Sequence, residues 1–535
     1  METPHNGTQP GPDTSGSQGP DNSQQASQSV STGQPGTQEN GTDATSASAS
    51  HDTSFFGHPR SLATVFGVEM WERFSFYGMQ GILAIYMYYE VTRDGLGMAE
   101  ATALGIVGAY GGAVYLSSIL GAWIADRVLG TEKTLFYSAL MIMAGHIALA
   151  VLPGYVGLVV GLVLVAFGSG GLKSNATAAV GALYAHDDPR RDAGFSIFYM
   201  GINIGGLLGP LLTGLLQSRM GFHWGFGLAA VGMAVGLVQY WFGRKGLSPQ
   251  SSVVPNPLSR KESVKYSIIA AALVAVVVVM LALKVVTAEN LADAVIIVTV
   301  VAAIIYFFVI LTSKAISAAE RSQVFAFIPL FIASVAFWSL YQQQFTVLTY
   351  YADKRLDRNL FGWEMPVSWV QSINPVFIIV LSGVFATLWL KLGNRQPSTP
   401  VKFAFGTAVV GIAFLMFLPL AGGGANSTPF LWMVLILLVF TIAELTLSPV
   451  GLSVTTKLAP EKFQTQMVAL WFLSVALGTA ITGKLAGVYD AALKSSDPKG
   501  GEIAYFGWLG VVAIVLGIAL FIARKPILKL MRDVR

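Results

Sequence analysis

Three charged residues share one turn of an otherwise apolar segment near the start of the chain. In VEMWERFSFYG, residues 68–78, Glu69 and Arg73 are four apart and Glu69 and Glu72 are three apart, so a helix would place all three on one face. A charge at the centre of a bilayer costs about 2.5–3.5 kcal/mol on insertion scales. We therefore expect these side chains to face one another, water or another helix. The chemistry available to them is proton exchange or anion binding, and a purely structural ion-pair cluster is the alternative.

A second buried cation favours a functional site. Lys173 lies within GSGGLKSNA, residues 168–176, where three glycines would permit close helix approach. A lysine at this depth needs a counter-ion, and the carboxylate of Glu69 or Glu72 that Arg73 leaves free is the available one. That carboxylate could then alternate between Lys173 and a proton.

The second half of the chain supplies an opposite charge. Glu444 lies in TIAELTLSPVGLS, residues 441–453, where Pro449 is expected to open the helix locally. Asn374, before Pro375, suggests a similar break, and Asn203 adds an amide; each asparagine taken alone is more simply an interhelical hydrogen bond. With cations in one half and an anion in the other, a zwitterion with separated charges would fit between them. Aromatic side chains could form its apolar pockets: Tyr77, Tyr115, Trp338, Trp471 and Phe472.

The elements that carry these residues are membrane helices. Of the 535 residues, 53% are hydrophobic and 12% are charged, whereas soluble domains carry about 25% charged residues. The absence of cysteine excludes disulfides, zinc–thiolate sites and cysteine catalysis, and the net charge of +4 comes mainly from loops, so nucleic-acid binding is not indicated. No metalloprotease motif or nucleophile–base set is visible. We therefore expect no enzyme, no metal site and no cofactor.

The pattern predicts an all-α polytopic membrane protein with fourteen spans. Their approximate ranges are 62–89, 101–125, 134–152, 156–184, 192–218, 223–243, 264–285, 292–312, 324–350, 367–391, 401–420, 430–456, 464–489 and 503–523. The seventh and eighth spans are β-branched and nearly free of polar groups, so we expect this pair to be peripheral and to face lipid.

Four regions follow from this pattern. Residues 1–55 are polar, hold six acids and no Lys or Arg, and are predicted to be a disordered cytoplasmic tail. Residues 56–245 would form a six-helix bundle, 246–320 a linker with the two accessory helices, and 321–535 a second six-helix bundle with a short cytoplasmic terminus. Two such bundles around a midplane site are a transporter plan.

The distribution of basic residues predicts the orientation. With the amino terminus in the cytoplasm, 22 loop Lys and Arg residues lie inside and eight outside. This asymmetry follows the positive-inside rule and places both termini in the cytoplasm of an inner-membrane protein. The first span is expected to direct insertion, since the tail lacks the features of a signal peptide.

Four motifs together resemble the proton-coupled oligopeptide transporter family, prokaryotic type, over almost all of residues 60–525. They are EMWERF (69–74), GAWIADRVLG (121–130), FYMGINIG (198–205) and ELTLSPVGLS (444–453). The second also resembles the loop motif of the major facilitator superfamily. The resemblance implies that superfamily's fold and proton-driven uptake of di- and tripeptides by alternating access, by a monomer with H⁺ as the coupling ion.

The resemblance also implies roles for individual residues. Glu69, Glu72, Arg73 and Lys173 would couple transport to protons, and Arg73 and Lys173 would hold the peptide carboxylate. The peptide amino terminus would be received by Glu444, Asn203 and Asn374. Further contacts to the peptide would come from Tyr77, Tyr115, Ser448, Trp471 and Phe472.

The chain departs from the family pattern at an expected gate. Many members pair an arginine on the first span with an acid on the seventh, but Gln80 and Gln342 stand at those places, which suggests a gate closed by amides. His146 is interpreted as a packing histidine with its hydrogen bonds satisfied. Two alternatives stay open: a related symporter for nitrate or an amino-acid conjugate, and a peptide sensor that does not transport.

Overall fold

The computed structural model describes residues 52–185 and 188–532. Residues 1–51, most of the tail predicted to be disordered (1–55), lie outside the described residues. All helices and strands named below belong to the described ranges.

Sixteen α-helices and one short hairpin form the described chain. The helices are α1 Arg60–Tyr88, α2 Glu100–Ile124, α3 Thr131–Val151, α4 Gly154–Gly181, α5 Arg191–Met220, α6 Phe222–Gly243, α7 Arg260–Ala282, α8 Leu291–Thr312, α9 Ala318–Tyr341, α10 Val347–Arg355, α11 Trp369–Leu392, α12 Thr399–Leu415, α13 Phe430–Lys457, α14 Gln464–Leu493, α15 Pro498–Ile522 and α16 Arg524–Met531. The hairpin strands β1 (Asn359–Leu360) and β2 (Trp363–Glu364) pair antiparallel between α10 and α11.

The fourteen predicted spans are confirmed as an all-α membrane architecture. Thirteen of the described helical segments are long and apolar enough to cross a bilayer. The fourteenth is α1, which has 29 residues and carries the charged turn. The two remaining helices, α10 and α16, have only nine and eight residues, too few to span a bilayer.

The ninth predicted span, 324–350, is confirmed as part of the spanning segment Ala318–Arg355, but that segment is not one continuous helix. Helix α9 ends at Tyr341, a 3₁₀ turn follows at Gln342–Phe345, and Thr346 has non-helical backbone angles of φ −121° and ψ −96° before α10 begins. The local sequence contains no glycine or proline that would signal this break. Thr349 stabilises the junction by donating a hydrogen bond to the Gln344 carbonyl at 2.7 Å.

The predicted openings at two prolines are also not observed. Helix α13 continues through Pro449, and α11 continues through Pro375. A proline removes one backbone donor, but neighbouring helices can hold the rest of a membrane helix in register.

The long helices pack as two bundles with the seventh and eighth helices outside them. Within the first, α1 packs against α5 and α6, and α3 packs against α4; within the second, α12 packs against α13 and α15. Helix α7 has no buried residue, as expected for a helix that faces lipid. Helix α8 contacts α2 and α14 and buries four of its residues.

The two bundles are joined at the membrane side where α1 ends, here called the Tyr88 end; the opposite side is the Arg60 end. Helix α11 and Ser368, the residue before it, donate side-chain hydrogen bonds to three carbonyls of α5, each at 2.9 Å: Ser368 to Pro210, Trp369 to Leu211 and Ser372 to Leu207. The hydroxyls of Tyr88 and Tyr89 donate to Asp353 of α10 at 3.1 and 2.6 Å. These hydrogen bonds between the bundles all lie on one side, so the structure is closed at the Tyr88 end.

Glycine brings α2 and α14 into backbone contact at the same end. A Cβ atom on Gly108 would lie 2.4 Å from the backbone nitrogen of Gly483. Such a distance is closer than van der Waals contact permits, so only glycine fits at this crossing.

Candidate functional site

The three charges of α1 form one buried ion-pair cluster. Arg73 Nε lies 2.8 Å from Glu69 Oε1 and 3.1 Å from Glu72 Oε2. The three residues are at most 3% exposed. Ser169 of α4 donates a hydrogen bond to Glu72. One guanidinium thus serves two carboxylates, which leaves the cluster with a net negative charge when both are ionised.

Lys173 does not form the ion pair expected from the sequence. Its ammonium lies 3.9 Å from the centroid of the Tyr115 ring, and it forms no ion pair with any described carboxylate. The physical reason is that Arg73 already holds both Glu69 and Glu72. An aromatic face is a favourable alternative site for a desolvated ammonium.

Two cationic groups therefore keep donors available beside this cluster. Arg73 Nη2 is buried and has no hydrogen-bond partner in the described part of the chain. Lys173 presents its ammonium from α4 with only the Tyr115 ring as partner. Buried donors are normally satisfied, so unpaired donors lining a cavity indicate a binding site for an anionic group.

The opposite wall carries a carboxylate with neutral partners. Tyr341 of α9 donates a hydrogen bond to Glu444 of α13 and lies 3.1 Å from Asn374 Oδ1. Asn374 in turn donates to Thr441 at 2.9 Å. Glu444 is 9% exposed and forms no ion pair among the described residues. Its negative charge is therefore not neutralised by a described cation.

Both walls line one cavity of about 310 Å³ between the bundles, within the usual size range of ligand pockets. Twelve residues predicted for the site line it: Glu69, Arg73, Tyr77, Tyr115, Lys173, Asn203, Trp338, Gln342, Asn374, Glu444, Ser448 and Phe472. The cavity is thus polar at two poles and aromatic between them. This arrangement can bind a molecule with a carboxylate at one end and an amine at the other.

Three predicted site residues lie outside this cavity. Trp471 is 5% exposed and its ring packs on Gly451, where a Cβ would lie 1.9 Å from it. The expectation that Trp471 lines the pocket is therefore not met, whereas its neighbour Phe472 does line it. Glu72 is fully buried beside Arg73. Gln80 lines a smaller adjoining cavity of about 30 Å³ with Gln342.

The amide gate expected at Gln80 and Gln342 does not form in this conformation. Gln80 Oε1 is buried without a hydrogen-bond partner in the described ranges, and the two amides exchange no hydrogen bond. The closed end is instead held by the hydrogen bonds from Tyr88 and Tyr89 to Asp353 and by those from Ser368 and α11 to α5. His146 also differs from expectation: it is fully buried, but neither ring nitrogen has a described partner.

Sequence reasoning missed three aromatic residues that line the cavity: Tyr199, Tyr341 and Phe345. Tyr341 orients Glu444, and Phe345 stacks on Tyr77 with ring centroids 6.0 Å apart. With Trp338, they recur at intervals of three and four along the chain, which is the spacing of one helix face. That spacing was the available signal.

The profile of the POT family matches residues 132–509. The chain is 45% identical over 483 residues to the "Uncharacterized transporter YclF" of Bacillus subtilis (strain 168), covering 90% of this chain and 96% of that protein. It is 42% identical over 498 residues to the "Di-/tripeptide transporter" of Lactococcus lactis subsp. cremoris, covering 90% and 99%. A crystal structure of a mutant of peptide transporter POT with alafosfalin superposes with a TM-score of 0.85 at 46% identity, covering 92% and 99%.

Proposed function

Since the chain belongs to the POT family, we propose that it takes up di- and tripeptides by proton-driven symport. The observation that carries this proposal is the cavity with unpaired cationic donors on one wall and the unneutralised Glu444 on the other. A peptide has the complementary charges at its two termini.

The peptide carboxylate would bind to Arg73 Nη2 and Lys173, and the amino terminus to Glu444. Asn374 and Asn203 would add hydrogen bonds beside that amine. Binding at both poles requires a free amine and a free carboxylate at a separation set by the peptide backbone. This requirement favours short unblocked peptides over nitrate, which carries no amine.

Glu69 would exchange the coupling proton. Its side chain lines the cavity, whereas Glu72 is fully buried and hydrogen bonded by Ser169. Protonation of Glu69 would weaken its ion pair with Arg73 and free the guanidinium for the peptide carboxylate. Deprotonation after release would restore the observed pairing.

The observed conformation would be the inward-facing state of the cycle. The Tyr88 end is closed by contacts between the bundles, and the excess of Lys and Arg in the loops of the Arg60 end supports a cytoplasmic location of that end. We accordingly place both termini in the cytoplasm of an inner-membrane monomer. A membrane potential of 100 mV would contribute about 2.3 kcal/mol per charge moved.

Uptake by the full chain in liposomes tests this function. An imposed inward proton gradient should drive accumulation of labelled dialanine, and a protonophore should abolish it. Glu69→Gln should lose gradient-driven accumulation but keep exchange of peptide between the two sides. Full accumulation by this variant would contradict the coupling role, and no exchange by the wild type would contradict peptide transport.

The alternatives make different predictions in the same liposomes. A symporter for nitrate would accumulate nitrate and ignore dialanine, and a symporter for amino-acid conjugates would accept blocked amines. A sensor would bind dialanine without exchange. Removal of residues 2–55 should leave uptake unchanged if the chain is a carrier.

A further inference from the structure

A second cavity, of about 640 Å³, opens where α3 begins and α6 ends, remote from the peptide site. Both helices are long and apolar enough to span a membrane. Their ends therefore mark the level of the lipid headgroups, where a chemically distinct ligand is available.

The cavity carries an excess of positive charge. Lys133, Arg244 and Lys245 line it together with one acid, Glu132. Arg244 Nη1 lies 3.3 Å from Glu132 Oε1, so this pair neutralises itself. Lys133 and Lys245 are exposed, and their side chains form no ion pair or hydrogen bond with described residues. The site is thus left with two uncompensated ammonium groups.

Aromatic rings hold the arginine in place. The Arg244 guanidinium lies 3.9 Å from the Trp241 ring centroid and 4.9 Å from that of Phe136. These two rings are themselves 5.3 Å apart. Tyr240, buried beside them, donates a hydrogen bond to the Glu132 carbonyl at 2.9 Å. The cationic wall is therefore built by packing and hydrogen bonds.

An exposed apolar path leads from this cavity along both helices. Tyr137 and Trp241 line the cavity and are each 49% exposed. On α3 the exposed residues continue at helical spacing with Leu140, Ile147 and Val151. On α6 they continue with Val238, Val235 and Val231. A soluble anion would use only the cations, whereas a lipid would use the cations and this apolar path.

We propose that this cavity binds an anionic phospholipid, with its phosphate between Lys133 and Lys245 and an acyl chain along the exposed faces of α3 and α6. Basic pockets between membrane helices are known to select anionic headgroups. Tyr and Trp at the same level are typical of the membrane interface. This site is independent of the peptide cavity.

Lipid binding to the purified full chain tests the proposal. Native mass spectrometry should show phosphatidylglycerol retained in preference to phosphatidylcholine. Lys133→Ser with Lys245→Ser should weaken phosphatidylglycerol retention roughly 25-fold, because each lysine near an anionic surface contributes about fivefold. Both lysines are exposed, so the variant should fold, and its elution on size exclusion should match that of the wild type.

The matched control is Lys391→Ser with Lys457→Ser, which removes the same charge from exposed positions at the ends of α11 and α13. It should retain phosphatidylglycerol like the wild type. Equal loss in both double variants would mean general surface attraction and would overturn the proposal. If millimolar inorganic phosphate or glycerol phosphate displaced the retained phosphatidylglycerol completely, the site would be one for a soluble anion, and the proposal would also be overturned.

Discussion

The two poles of the peptide cavity differ in how their charges are balanced. At the α1 pole, Arg73 is held by two carboxylates, and all three groups are buried within one helical turn. At the α13 pole, Glu444 is oriented by Tyr341, a neutral hydrogen-bond donor. At the first pole the charges are paired with one another and can exchange partners. At the second pole the carboxylate has no cationic partner among the described residues. The difference suggests that proton exchange belongs to the first pole and amine recognition to the second.

The largest expected effect comes from breaking the first pole. Arg73→Leu removes the cation that two buried carboxylates share; breaking a buried ion pair costs about 3–5 kcal/mol, so the unfolding temperature should fall sharply and uptake should cease. Adding Glu69→Gln and Glu72→Gln should restore most of the thermal stability without restoring uptake. If the single variant were as stable as the wild type, the two carboxylates would not depend on Arg73 for their stabilisation.

The second pole should respond in its ligand affinity while the fold stays stable. Glu444→Gln keeps an acceptor for Tyr341, so thermal stability should change little. Loss of the charge opposite a buried amine costs about 2–5 kcal/mol in binding, and dialanine uptake should fall accordingly. An N-acetylated dipeptide, which lacks the amine, should bind the variant and the wild type equally. An equal loss for both peptides would argue against amine recognition.

A matched pair of variants removes one hydroxyl donor from each pole. Ser169→Ala removes the donor to Glu72, and Tyr341→Phe removes the donor to Glu444. Each lost hydrogen bond should reduce the stabilisation of its carboxylate by about 1.5–3 kcal/mol, the usual value for a hydrogen bond to a charged group. Tyr341→Phe should raise the half-saturating dialanine concentration. Ser169→Ala should instead shift the dependence of uptake on pH, because Glu72 shares Arg73 with Glu69, the proposed proton carrier. The same phenotype in both variants would remove the distinction between the poles.

The smallest effect is expected at the closure that keeps both poles facing one cavity. Asp353→Asn can still accept from one of Tyr88 and Tyr89, so it should cost about 0.5–1.5 kcal/mol and populate the open Tyr88 end only several-fold more. Because the chain has no cysteine, spin labels on Glu90→Cys and Asn359→Cys can report the distance directly. Asp293→Asn is the control, because it removes the same charge from a partly exposed ion pair with Lys484; an identical shift in that variant would assign the effect to surface charge.

Much of the fold and of the α1 pole followed from local spacing. Glu69 and Arg73 are one helical turn apart, so their pairing needs no knowledge of tertiary structure. The long apolar runs likewise defined the spans, because a bilayer imposes their length. These features depend on neighbours in sequence.

The features that sequence reasoning missed depend on distant contacts. Lys173 and Tyr115 lie on different helices, and whether the ammonium meets a ring or a carboxylate depends on how those helices pack. The helix break at Thr346 has no glycine or proline near it in the sequence, so no local residue type predicts it. Arg355 and Glu502 pair at 2.7 Å between α10 and α15, 147 residues apart in sequence. No local pattern contains that information.

The contact between Gly108 and Gly483 has a consequence for insulation of the membrane. Because the two backbones are in contact there without side chains between them, this crossing sets the closest distance to which the two bundles can approach each other. A methyl group on either residue would hold the bundles apart and leave a water-sized seam beside the peptide cavity. In the proposed symport cycle, protons could then cross without peptide, and the gradient would be dissipated. The smallest side chains in the molecule thereby determine how tightly the carrier seals.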